Sequence, residues 1–310
     1  MKILIAGSGG VGGYYGGLLA RSGNEVIFLA RGEHLKALRA HGLQVKSVHG
    51  DFAISPVQAT DTPGEAGVVD LILFCTKTYD TETVARSLQP CVGSETAILS
   101  LQNGIDAAER IGAILGMEHM LGGATWISSA VEAPGVIRQF SQFRRIVFGE
   151  LDGRITPRAQ AIYQTLSASG ATVELSTNIL SVLWTKFVFI AAMSGISSLT
   201  RLEIGEFRHV PETRALMTAL MREVEALARA QNIALDADVV EKTLSFVDAS
   251  APNIKSSMQR DVESGRRTEL ESMIGVICRK GREWNVPTPV ADFVYAALLP
   301  VELKAQRASR

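Results

Sequence analysis

A doubly wound α/β domain over residues 1–176, followed by an all-α domain over residues 177–310, is the fold class this sequence predicts. Three observations carry it. The chain opens on an apolar strand that runs directly into a glycine-rich turn and a helix. Apolar strands then alternate with helices as far as Leu175. Near Thr177 the character changes, and helix-period patterns continue to Ala308 with almost no strand signal. At 310 residues the chain is long enough to build two cores.

Lys2–Ala6 alternates little and is mostly apolar, as a parallel strand covered on both faces would be. Gly7, Gly9 and Gly12 follow at G-x-G-x-x-G spacing, with Ser8, Gly10 and Val11 between them, and Tyr14–Ala20 continues as a helix. Gly7 allows the tight turn, Gly9 lets a pyrophosphate approach the backbone, and Gly12 lets helix pack on strand. The helix N-terminus adds free N–H groups and a positive dipole end. A second strand, Glu25–Ala30, completes the context of a Rossmann-type dinucleotide site. NAD-preferring sites place an acid about 20 residues beyond the glycines to hold the ribose 2′-hydroxyl. Here Arg31-Gly32 follows the strand and no acid comes before Glu33. A cation there suits a 2′-phosphate, so the cofactor reads as NADP(H); the competing reading is a solvated surface arginine.

The remaining elements follow in order. A helix over Glu33–His41 leads to an alternating strand, Leu43–Ser47. Val68–Cys75 is a near-continuous apolar run ending in Thr76-Lys77, the mark of a central parallel strand. A helix over Thr81–Leu88 stops at Pro90, and Ala97–Leu101 is another buried strand, ending in Gln102-Asn103-Gly104. Met120–Gly122, Arg144–Phe148 and Val173–Leu175 complete the strands. Asn178 suits an N-cap for the first helix of the second domain, and breaks fall at Pro211, Pro252, Gly265 and the Pro287/Pro289 pair. In such folds ligands bind at the carboxyl ends of the strands, so the substrate cleft is expected between the two domains.

The formal net charge is −1 and the basic residues are scattered, which predicts no nucleic-acid and no anionic-membrane partner. Cys75, Cys91 and Cys278 are odd in number and far apart, and read as reduced thiols. The five histidines do not cluster, so no metal site is expected. The first apolar stretch is a short strand broken by glycines, not a signal peptide, and Phe187–Met193 is too short to span a bilayer. The expected location is the cytoplasm, and the apolar helical domain leaves room for a homodimer.

Lys186 is the first candidate for chemistry. It is the one cation in Ile179–Met193, a helix apolar on nearly every side and therefore buried. Burial lowers an ammonium pKa toward neutrality, the tuning a general acid needs to protonate an alkoxide as a hydride arrives. The competing reading is a lysine whose stem packs while its head reaches water. Asn103 and Lys77 both sit at carboxyl ends of buried strands, where an amide can bond cofactor ribose or substrate carbonyl and a cation can face phosphates; each also reads as a plain loop residue. Thr268 and Glu271 have capping-box spacing, which would make Glu269 a first-turn acid favoured by the helix dipole. Turned into the cleft instead, Glu269 would bond Lys186 or a ribose hydroxyl, and Ser257 would donate to a substrate carboxylate.

Taken together, Gly7–Ala20, Leu29–Gly32, Thr76-Lys77, Asn103-Gly104, Trp184-Thr-Lys186, Ser256-Ser-Met258, Thr268-Glu269 and Val286-Pro-Thr-Pro289 resemble the ketopantoate reductases, in order over essentially the whole chain. The resemblance implies NADPH-dependent reduction of 2-dehydropantoate to pantoate, a step towards pantothenate and coenzyme A. It implies Lys186 as proton donor, Asn103 on cofactor and substrate, Ser257 on substrate, and Glu269 on the cofactor or ordering the site. One departure stands out. Members with ketopantoate activity carry asparagines at three places that here are Ile190, Ser194 and Ile204. Ile190 and Ser194 follow Lys186 by four and eight residues on one helical face and are expected to line the pocket beside it. Losing amides there removes hydrogen bonds worth about 0.5–3 kcal/mol each, and points to a bulkier or more apolar 2-oxo acid. Other readings are a 3-hydroxyacid or opine dehydrogenase, or an NADPH-binding sensor without turnover.

Overall fold

The structure, a computed structural model, describes residues 1–308, so the last two residues of the expected 177–310 domain lie outside it. The chain forms two compact units, one of residues Met1–Gln102 with Ala107–Ile179, the other of Asn103–Asp106 with Leu180 onward.

The first unit runs β1 (Lys2–Ala6), α1 (Gly10–Arg21), β2 (Glu25–Leu29), α2 (Gly32–His41), β3 (Leu43–Ser47), β4 (Phe52–Ile54), β5 (Gln58–Thr60), β6 (Leu71–Phe74), α3 (Thr81–Ser87), β7 (Ala97–Ser100), α4 (Ala107–Leu115), β8 (Met120–Trp126), β9 (Ser129–Ala133), β10 (Val136–Gln139), β11 (Arg145–Glu150), α5 (Pro157–Ala168) and β12 (Thr172–Leu175). Its main sheet has eight strands in the order β12-β11-β8-β7-β6-β1-β2-β5. From β5 to β8 every pairing is parallel. The order reverses between β1 and β6, the point at which doubly wound sheets bind ligands. The period-2 geometry of the strands sorts their side chains. Ile3, Ile5, Leu71, Leu73 and Leu99 join one core, and Leu4, Ala6, Ile72, Phe74 and Ile98 join another on the opposite face. Continuous apolar runs are what such doubly covered strands require.

Two features of the sheets go beyond what the sequence specifies. The sheet is not wholly parallel: β11 runs antiparallel to β8, and β12 follows β11. A helical crossover enforces a parallel return, and β8 is joined to β11 through strands instead. In addition, Leu43–Ser47 is not part of the main sheet. It belongs to a second sheet, ordered β4-β3-β10-β9, that the sequence reading lacked along with β5. The glycines of α1 explain how that helix packs against both sheets. A Cβ at Gly16 would lie 2.6 Å from Phe28 and 2.8 Å from Ile5, while one at Gly13 would meet Ile137 at 2.7 Å. Small residues on two faces let two sheets approach one helix.

The second unit is helical: α6 (Ile179–Thr200), α7 (Ile204–Phe207), α8 (Pro211–Ala230), α9 (Val239–Ala249), α10 (Ser257–Glu263), a π-helical segment at Glu271–Gly275, α11 (Val276–Glu283) and α12 (Pro289–Ala308). The helix expected over Ile179–Met193 extends to Thr200, so the apolar run Phe187–Met193 is part of a 22-residue helix long and apolar enough by composition to cross a membrane. Phe187, Val188, Ala191, Ala192 and Ile196 are wholly buried in the unit's core, packed with Leu220, Val224 and Ile274. Helix-end amides are satisfied by buried carboxylates from elsewhere in the unit. Glu223 of α8 accepts from the amides of Val290 (2.7 Å) and Ala291 (2.9 Å) at the start of α12.

Candidate active site

In the first unit the glycine turn takes the shape its residues demand. Gly7 has φ +98°, and a Cβ there would press on the Thr76 backbone at 2.8 Å. Gly9 is the N-cap of α1, and the space where its Cβ would stand is open to 4 Å. Gly12 lies in the first turn, where a Cβ would come within 2.1 Å of the Gly7 carbonyl. The first helical hydrogen bond runs from Gly13 N to Gly9 O at 2.7 Å, so the amides of Gly10, Val11 and Gly12 form the helix's positive end. Ser8 gives both its amide (3.2 Å) and its hydroxyl (2.9 Å) to the Leu29 carbonyl, tying the turn to β2. His34 was not singled out from sequence, yet it braces the same turn. Its Nδ1 accepts from Gly135 N, which makes Nε2 the donor to the Ser8 carbonyl at 2.9 Å. Burial pulls its pKa below the usual value, keeping it neutral.

Arg31 is the extended N-cap of α2, at the carboxyl end of β2, and is exposed. Glu33, the nearest acid in sequence, pairs with Lys36 at 2.7 Å. Lys77 precedes a single 3₁₀ turn, Thr78–Asp80, at the carboxyl end of β6. Gln102 anchors the end of the β7 segment, donating to the Thr76 carbonyl (3.0 Å) and the Thr81 hydroxyl (2.9 Å).

The second unit holds the other candidates. Asn103–Asp106 groups with the helices, not with the strand it follows. Lys186 Nζ donates to Asn103 Oδ1 at 2.9 Å. An ammonium has only donors, so this bond fixes the amide and leaves Asn103 Nδ2 as a donor for a ligand. Burial pulls the Lys186 pKa from 10.5 to about 8, and the negative charge of Glu269 works in the opposite direction. Glu269 itself is buried. Gly104, at φ +110°, faces the Ser272 carbonyl, and Arg279 lies 3.7 Å from Asp106 and 2.8 Å from Glu271. These contacts hold the loop carrying Asn103 to the π-helical segment, a feature that gathers at functional sites.

The capping box expected at Thr268 and Glu271 does not form. Glu302, 34 residues on, accepts from both the amide (2.7 Å) and the hydroxyl (2.6 Å) of Thr268, while Glu271 is engaged by Arg279 and Tyr295. Glu269 is therefore carried by an irregular segment pinned to α12, and not by a capped first turn. Along α6, Ile190 is half-buried against the core and Ser194 is buried. Ile204 is wholly buried in the core at the start of α7. Ser257 is half-buried in the first turn of α10. The cap of that helix is Ser256, which accepts from Gln259 N and shares a 2.8 Å hydrogen bond with Ser197 of α6. Among the described residues no three metal-ligating side chains come together.

Comparison with known proteins agrees with this architecture. Residues 3–153 match the family model "Ketopantoate reductase PanE/ApbA", and residues 178–302 match the model of its C-terminal part. The uncharacterized oxidoreductase YkpB of Bacillus subtilis is 33% identical over 96% of this chain and 98% of its own. A solved PanE/ApbA family ketopantoate reductase from Ralstonia eutropha is 31% identical with a TM-score of 0.91, covering 99% of this chain and 100% of that one. A D-mandelate dehydrogenase solved with NADH and anilino(oxo)acetate is 27% identical with a TM-score of 0.89, each chain covered to 99%. Fold and matches define an oxidoreductase with a Rossmann-type domain and a helical C-terminal domain. The chain belongs to the ketopantoate reductase PanE/ApbA family.

Proposed function

We propose that the protein is an NADPH-dependent reductase of a 2-oxo acid, with 2-dehydropantoate as the first substrate to test and Lys186 as proton donor. The observation that carries this reading is the Lys186–Asn103 pair, an ammonium near neutrality hydrogen-bonded to an amide that keeps a second donor. When bound, the reduced nicotinamide supplies the hydride. The open space at Gly9 and the bare amides of Gly10, Val11 and Gly12 fit the pyrophosphate. Arg31 and Lys77 at the ends of β2 and β6 suit a 2′-phosphate better than a hydroxyl. As the keto oxygen gains negative charge, Lys186 Nζ gives it a proton and is re-protonated from water. Asn103 Nδ2 steadies that oxygen, and Glu269 keeps Lys186 from losing its proton too early.

A second reading is favoured by Ile190, which offers the substrate no hydrogen bond one turn from Lys186. The D-mandelate dehydrogenase neighbour shows that this fold also serves an aromatic 2-hydroxy acid. In that reading the substrate is a 2-oxo acid with a branched or aromatic side chain. NADPH oxidation with 2-dehydropantoate beside a panel of aliphatic and aromatic 2-oxo acids separates the readings by kcat/KM. NADPH binding with no turnover of any 2-oxo acid would remove the enzyme reading and leave a sensor.

A further inference from the structure

Arg31 is engaged by a residue that the cofactor site does not need. Its Nη2 lies 3.1 Å from Asp80 Oδ2, with the arginine side chain 77% exposed and the aspartate 30%. Asp80 closes the 3₁₀ turn that follows Lys77, its amide donating to the Lys77 carbonyl at 3.0 Å. It is also the N-cap residue of α3, yet its side chain makes no capping bond there. An aspartate at that position ordinarily accepts from its own helix, at a gain of about 1 kcal/mol. This carboxylate is turned instead toward the guanidinium at the end of β2, which lies beyond β1 in the sheet.

We propose that Asp80 is a specificity-determining residue for the dinucleotide, set against the 2′-phosphate. This rests on the reading of Arg31 given above. A 2′-phosphate that reaches Arg31 must share the guanidinium with the carboxylate or displace it, and carries like charge towards it. A ribose 2′-hydroxyl brings no such repulsion and can donate to the carboxylate, the role an acid fills in NAD-preferring sites. The acid expected at the end of β2 is thus supplied from the turn after β6. Arg31 and Asp80 together draw the NADPH and NADH affinities towards each other.

The test is direct nucleotide binding, followed by nicotinamide fluorescence, to the full-length protein and its variants. Asp80→Asn keeps a good N-cap residue and should tighten NADPH about two- to tenfold, with NADH unchanged or weaker. The gain should shrink as salt is raised and the site is screened. In an Arg31→Ala background, where only the like-charge repulsion is left, Asp80→Asn should tighten NADPH by less than it does in the parent protein. An unchanged or weaker NADPH Kd in Asp80→Asn overturns the proposal, and so does a full gain that persists without Arg31. If Arg31→Ala weakens NADPH and NADH equally, the failure lies in the Arg31 reading itself.

Discussion

The Lys186 ammonium is under two influences of different kind, a neutral amide that fixes its direction and the charge of a carboxylate that favours its protonated form. A general acid must carry its proton into the reaction, so reductase kcat/KM should be level at low pH and fall as pH passes about 8, the value burial gives Lys186. Glu269 raises that value. Glu269→Gln should therefore move the alkaline limb to lower pH, and a limb that stays in place would free Glu269 of this role. Lys186→Ala should fold, bind NADPH as before and lose about 10²–10⁴ in turnover. Near-normal turnover would return Lys186 to being a lysine whose head merely reaches water. Its candidacy was legible because one cation interrupts an otherwise apolar helix. Its bond to Asn103 was not, since nothing in Asn103-Gly104 assigns a loop to a helix 83 residues away. Thr268 misled for a related reason: its hydroxyl still accepts from Leu270 N, but the buried Glu302 takes the Thr268 amide that a capping box would give to Glu271, and only the fold brings them together.

Lys186, Ile190, Ser194 and Ser197 follow one another at spacings of four, four and three along α6, so they share a face. Ser197 is already tied to Ser256, which leaves Ile190 and Ser194 to determine what lies beside the acid. Ile190→Asn puts a donor one turn from Lys186 without touching the wholly buried positions. It should raise kcat/KM for 2-dehydropantoate relative to bulkier 2-oxo acids by about five- to fiftyfold, the worth of one or two hydrogen bonds. Adding Ser194→Asn should carry the shift further. An unchanged ratio in a folded, NADPH-binding variant would place the substrate's side chain away from α6. Elements with long apolar runs, such as β1, β6, β7 and α6, were readable because burial on all sides leaves an unmistakable pattern. The second sheet was not. Phe52–Ile54 is only three residues long, and Ser129–Ala133 is mostly exposed, so neither shows a period to detect. What marks that sheet is indirect: the extra glycines of α1, which make sense only once Ile137 and Leu43 pack on them.

At the scale of the molecule, the hydrophobic residues divide into cores that do not mix. One lies wholly in the helical unit, and two lie on the faces of the eight-stranded sheet. A unit with its own core can open without the other, so local stability should differ between them. Binding energy is felt only by states in which the binding residues are folded, and the glycine turn, Arg31 and Lys77 all belong to the α/β unit. NADPH at 100 times its Kd is worth about 2.7 kcal/mol to the states that bind it. By native-state hydrogen exchange, the most protected amides of β1, β6 and β7 should gain about that much on saturation with NADPH. Those of α8, deep in the helical core, should gain far less if the helical unit opens by itself. An equal gain in α8 would mean that the two cores open as one cooperative body. A gain confined to the helices would remove the dinucleotide from the glycine turn.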